Sequence, residues 1–159
     1  MSSIKKTNAM RILEKENINY DLKEYEVDEN NLDAIHVARN ANIDLDLVYK
    51  TIVMINDNKE IFVFCLPAEF DISLKKAKAI TKSNKLDLVK LSDLKKTTGY
   101  IRGGCSPIGM IKKYPTFISE FAEMEEKIYI SAGIRGLQII INPQDLAKCV
   151  NATFENFIQ

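Results

Sequence analysis

Ala9, Ile12 and Leu13 recur at intervals of three and four, so one apolar stripe predicts a helix over residues 3–16, with Asn17 as its stop. The period then shortens to two. Ile18, Tyr20 and Leu22 alternate with polar residues as in a strand, and Tyr25 and Val27 extend the pattern past a bend. Helical spacing returns after Asn31, a candidate cap, where Leu32 and Ile35 share a face beside Ala34, Val37, Ala38 and Ala41. Residues 48–55 and 60–66 are rich in β-branched and aromatic side chains. Asn56-Asp57-Asn58-Lys59 between them is turn chemistry, which predicts a hairpin closed by Pro67.

A third helix follows a cap at Asp71 or Ser73, with Leu74, Ala77 and Ile80 inward and lysines outward. Leu86, Leu88 and Lys90 mark a short strand, and Ser92 to Lys96 a short helix. Pro115 suits an edge or turn position for residues 116–118. Residues 127–131 and 137–141 read as strands joined by a loop with two glycines. Asn142-Pro143-Gln144-Asp145 is a helix start, with Asn as cap and Pro in the first turn; residues 152–157 form a tail with strand character. About seven strands interleaved with four or five helices predict an α/β (α+β) fold built on a mixed sheet, as one domain over residues 1–159.

Composition narrows the class. Of the residues, 46% are hydrophobic and 28% charged, as in a soluble globular chain, and no apolar run is long enough to span a bilayer. No secretory h-region opens the chain. Three scattered cysteines argue against a disulfide framework or paired zinc ligands, so a reducing cytoplasm is the expected location. Net charge is zero, yet the signs are segregated. Residues 21–46 carry eight acids and two bases, and residues 75–96 carry eight lysines and two aspartates. The basic stretch is either a solvated face or a contact for phosphates.

Residues 98–109 hold four of the six glycines. Gly103-Gly104 followed by Ser106-Pro107 specifies backbone more than side chain, as a tight loop or as a cradle of N–H groups for an oxygen ligand. Neither this loop nor Gly133–Gly136 matches a phosphate-binding loop or a dinucleotide fingerprint. Lys50 interrupts an apolar strand; it faces away from Tyr49, Thr51 and Val53, either as an edge gatekeeper or as a cation in a cleft. His36 is the only histidine, with no group nearby in sequence to orient it. Cys105 is expected to be an inert thiol, and no Ser-His-acid set or GxSxG elbow is present.

Val48-Tyr49-Lys50-Thr51, then Thr98-Gly99-Tyr100 with Gly103-Gly104-x-Ser106-Pro107-x-Gly109, then Ser131-x-Gly133-x-Arg135-Gly136 occur in this order. Together they resemble the YbaK/EbsC family of free-standing aminoacyl-tRNA deacylases, similar to the editing domain of bacterial prolyl-tRNA synthetases. The resemblance runs from about Asn17 to Phe157. It implies a curved, barrel-like sheet surrounded by helices. It implies Lys50 as the essential lysine at the aminoacyl end of the tRNA. It also implies a substrate-binding set of Tyr20, Thr51, Gly103, Gly104, Ser106, Pro107, Ser131, Gly133 and Arg135, with no metal and no cofactor. The implied partners are the aminoacylated 3′ end of tRNA and prolyl-tRNA synthetase, with no membrane and no DNA.

The SP-x-G form is closer to the branch that clears cysteine from the proline tRNA. There the substrate's own thiolate attacks its ester. Hydrolysis of alanyl-tRNA(Pro) and a non-catalytic tRNA- or synthetase-binding module are the alternatives. Three features depart from the family pattern. Cys105 replaces an aliphatic residue, Ala132 and Ile134 replace a glycine and a lysine, and the segment after Tyr25 lacks a clear aromatic at the pocket-lining position.

Overall fold

Residues 5–159 are described by a computed structural model. In chain order the elements are α1 (Asn8–Lys15), β1 (Asp21–Glu24), α2 (Ala34–Ala41), a 3-10 turn (Leu45–Leu47), β2 (Tyr49–Asn56), β3 (Ile61–Pro67), α3 (Leu74–Thr81), β4 (Leu86–Leu88), α4 (Leu91–Thr98), β5 (Thr116–Ser119), a second 3-10 turn (Glu120–Met124), β6 (Ile128–Ser131), β7 (Leu137–Ile141), α5 (Pro143–Val150) and β8 (Thr153–Glu155). The helix expected over residues 3–16 begins only at Asn8, because Thr7 is extended and caps it by accepting from the Met10 N–H; residues 3 and 4 lie outside the described residues. Asp33, not Asn31, caps α2. Ser73 caps α3, and Lys90 ends no strand but stands at the start of α4. Asn142 caps α5 by accepting from Gln144 and Asp145, with Pro143 at the first helical position. Such a cap contributes about 1 kcal/mol.

The expected mixed sheet is present as two. β1, β7 and β6 form a three-stranded antiparallel sheet. The other has the order β4-β2-β3-β5-β8, antiparallel across β4-β2-β3 and parallel across β3-β5-β8. One parallel bridge, Val48 to Tyr129, links them. The barrel therefore does not close: β6 ends two residues past the bridge, and the glycine loop beginning there takes the chain away from β2. β5 is interior, against the expectation from Pro115. Its proline sits just before the strand, where no ladder N–H is needed, and its carbonyl accepts from the Val63 N–H.

Alternation along β2 and β3 sorts side chains into two cores. Tyr49 and Cys65 join Leu13, Ile118, Ile130 and Ile139 in one. Met54, Phe62, Phe64 and Leu66 join Leu86 and Phe157 in the other. Phe64 is its hub, with ring centroids 5.2 Å from Phe117 and 5.0 Å from Phe157. Ala77 and Ile80 pack α3 onto this core, whereas Leu74, expected inward, is exposed on its first turn.

Candidate active site

Lys50 is the second residue of β2, paired with Leu66 and directed away from Tyr49 and Thr51, as the alternation predicts. Its Nζ lies 3.7 Å from Oδ1 of Asp71, just ahead of α3; the lysine side chain is 24% exposed and the aspartate 80%. The Val48–Tyr129 bridge is parallel, and Lys50 and Ser131 each lie two residues beyond it, so the strand period turns both side chains to one face. Ser131 pairs with Gln138 on β7, and Gln138 with Lys23 on β1. Directly opposed residues share a face. A polar row, Lys50–Ser131–Gln138–Lys23, thus crosses four strands whose other face carries Leu137, Ile139 and Ile130 into the core.

Ser131 joins this row to the glycine loops, since its Oγ accepts from the Gly133 N–H at 3.2 Å. Gly133 has φ +104° and rests on the ring of Tyr100, where an added Cβ would come within 2.9 Å of Cε1. Tyr100 is buried and donates its hydroxyl to the Ile108 carbonyl. Gly104 abuts the backbone of Ile134 and Arg135, where a Cβ would meet atoms at 3.1–3.2 Å. Arg135 donates from Nε to the Arg102 carbonyl and from Nη1 to Oε2 of Glu29, both at 2.9 Å. Its guanidinium clamps the two loops and the acidic segment together. Ser106 is fully buried, and its Oγ accepts from the Ile108 N–H, so the hydroxyl shapes the turn. Pro107 lines a groove of about 810 Å³ with Ile12, Lys15 and Lys113; Lys50, Thr51, Ser131 and Gln138 do not line it.

Tyr20 is not brought to this cluster. It lies in phase with Ile18 and Leu22, packs with them on the first core, and donates its hydroxyl to Oε2 of Glu14 at 2.9 Å. Burial and that carboxylate push its hydroxyl up to about 12. Tyr25, just past β1, is the aromatic held beside the late loop, its N–H donating to the Gly136 carbonyl. Thr51 faces Cys65, with Oγ1 4.0 Å from Sγ. His36, expected to lack an orienting group, has one: its Nδ1 lies 2.6 Å from Oδ2 of Asp33, the cap of its own helix. Gln138 and Tyr25 went unpredicted. Gln138 sits within an apolar run that reads only as a strand.

Burial pushes the Cys105 thiol up to about 11, partly offset by a hydrogen bond to Thr98. Its thiolate is scarce at neutral pH. Alkylation by iodoacetamide at pH 7.5, followed by peptide mapping at Cys105, is expected to run at least about tenfold slower than for free cysteine. It should climb with pH toward 11; a rate equal to free cysteine would contradict the inert assignment. Among the described residues, no cluster of His, Cys, Asp and Glu could hold a metal, and no helix is long and apolar enough to cross a membrane.

A family model described as the aminoacyl-tRNA editing domain matches residues 28–149. EbsC of Enterococcus faecalis (strain ATCC 700802 / V583), provisionally named a Cys-tRNA(Pro)/Cys-tRNA(Cys) deacylase, is 38% identical over 149 residues, which is 94% of this chain and 91% of its own. The crystal structure of hypothetical protein APE2540 is similar with TM-score 0.84 at 13% identity, over 94% of this chain and 97% of that one. A structure described provisionally as a trans-editing enzyme for prolyl-tRNA synthetase is similar with TM-score 0.79 at 16% identity, over 96% and 98%. At these identities the two structures speak to the fold alone.

Proposed function

The chain belongs to the aminoacyl-tRNA editing domain family, and from that premise we propose that it is a free-standing deacylase that clears cysteine from mischarged proline tRNA in the cytoplasm. The observation that carries the reading is that one cation and one hydroxyl, Lys50 and Ser131, share a sheet face that runs into two interlocked glycine loops. No activated protein nucleophile accompanies them among the described residues: the Cys105 thiol is pushed up by burial and the Ser106 hydroxyl is enclosed. Such a site catalyses by positioning and by placed charge.

The substrate supplies the nucleophile. Its thiolate attacks the ester carbonyl, an S–C bond forms, and the C–O bond to the terminal ribose breaks. A small thiolactone ring leaves, and the ribose oxygen takes a proton from solvent. Lys50 is placed to stabilise the oxygen on which negative charge grows. The Gly104 N–H is spent on the Ile101 carbonyl. Among the described residues no acceptor meets the N–H of Gly103, Cys105 or Ser106, which leaves these free as donors in the loop. Orientation of the ester by such a loop can account for several kcal/mol of the barrier.

The 38% identity to EbsC supports cysteine over alanine. The test is a deacylation panel with cysteine, alanine, serine and proline on the proline tRNA, with and without prolyl-tRNA synthetase. Cysteine is expected to be cleared and serine and proline spared. Preferential release of alanine would replace ring closure with attack by a positioned water. Cys105→Ala is expected to keep cysteine clearance within about threefold of wild type, since its thiol takes no part.

A further inference from the structure

We infer that the side-chain carboxamide of Gln138 is the acceptor for the α-ammonium group of the aminoacyl substrate. The inference rests on the deacylase reading and names a contact inside the same site. Gln138 is 4% exposed, and its Oε1 is enclosed with no hydrogen-bond partner among the described residues. A buried acceptor left unpaired costs stability, so its retention asks for a donor that arrives from elsewhere. The cross-strand neighbours do not supply one. Neither Ser131, whose Oγ accepts from the Gly133 N–H, nor Lys23 bonds to Oε1.

The position in the row gives the donor its identity. Lys50 and the loop N–H groups are donors, suited to carbonyl, ribose and phosphate oxygens. The aminoacyl group brings one strong donor of its own, the α-ammonium, and that donor needs an acceptor. Glu29 is tied to Arg135, and Asp71 lies exposed beside Lys50. Gln138 shares the face of Lys50, one strand beyond Ser131, and its acceptor is neutral, so it does not compete for the lysine. A half-turn of the carboxamide exchanges its oxygen and nitrogen, so the oxygen can be offered to either side.

The experiment compares two esters on the proline tRNA, cysteinyl and its des-amino counterpart 3-mercaptopropionyl, which keeps the thiol but lacks the amine. Wild type, Gln138→Met and the milder Gln138→Ala are assayed on both, with melting temperatures recorded. Wild type is expected to favour the cysteinyl ester by about ten- to a hundredfold in kcat/KM. Both variants are expected to fall to within about threefold between the two esters, by slowing on the cysteinyl ester alone. Gln138→Met is expected to melt no lower than wild type, because it removes an unpaired polar group at nearly constant volume. A wild type that cleaves both esters equally, or a folded variant that keeps the full preference, overturns the inference while leaving the deacylase reading intact. A wild type inert on cysteinyl-tRNA overturns the cysteine-clearing reading on which the inference rests.

Discussion

Replacing Lys50 with alanine is expected to lower kcat/KM for deacylation at least about a hundredfold while shifting the melting temperature by no more than about 4 °C. The two halves of this expectation have separate causes. Stability is little affected because the ion pair is long, at 3.7 Å, and its partner Asp71 is 80% exposed. Exposed pairs of this kind contribute about 0–1 kcal/mol. Activity is strongly affected because Lys50 is a cation on the face it shares with Ser131, opposite the first core. A charge that acts on the oxygen where negative charge develops is felt in kcat more than in KM. Lys50→Met keeps most of the stem and should behave like the alanine variant, which separates loss of charge from loss of packing. Lys50→Arg is expected to recover little, because a planar fork does not occupy the place of a compact ammonium. Near-wild-type turnover in Lys50→Ala, with turnover lost in Cys105→Ala, would replace substrate-assisted cleavage with a protein thiol.

The elements governed by local chemistry are legible from the sequence. The β2–β3 hairpin follows from alternation on both sides of Asn56-Asp57-Asn58-Lys59, and α5 from Asn142-Pro143. The direction of Lys50, opposed to Tyr49 and Thr51, follows from the period of a strand. Relations between distant elements are not legible. The split of the sheet depends on where β6 leaves β2, which no local pattern states. The interior position of β5 depends on partners 53 residues upstream and 36 downstream, Val63–Thr116 and Phe117–Thr153. Tyr20 shows the boundary between the two kinds of information. Its phase with Ile18 and Leu22 marks it as core-facing, but only the pairing of Leu22 with Ile139 shows that this face is turned from Lys50. Gln138 went unnoticed because one amide in an apolar run carries no local signal. Its meaning comes from Ser131 and Lys23 on neighbouring strands.

Gly133→Ala is expected to destabilise the protein by about 3 kcal/mol, a fall of roughly 6–12 °C in melting temperature. Two penalties combine. The residue has φ +104°, where a side chain is strained in any surroundings. The new Cβ would also lie 2.9 Å from Cε1 of Tyr100. That ring has nowhere to go, being buried and held at its far end by the Ile108 carbonyl. Relief must come from the Gly133–Gly136 loop, and moving that loop pulls the Gly133 N–H from the Ser131 hydroxyl. Activity measured well below the melting point is therefore expected to fall about tenfold or more, beyond any loss of folded protein. Adding Tyr100→Leu to Gly133→Ala opens room beneath the loop but leaves the backbone strain, so at most about half of the lost melting temperature should return, after allowance for the loss in Tyr100→Leu alone. A Gly133→Ala protein that melts within about 2 °C of wild type would mean that the loop does not rest on Tyr100. Ser131 would then be held in place by its own strand alone.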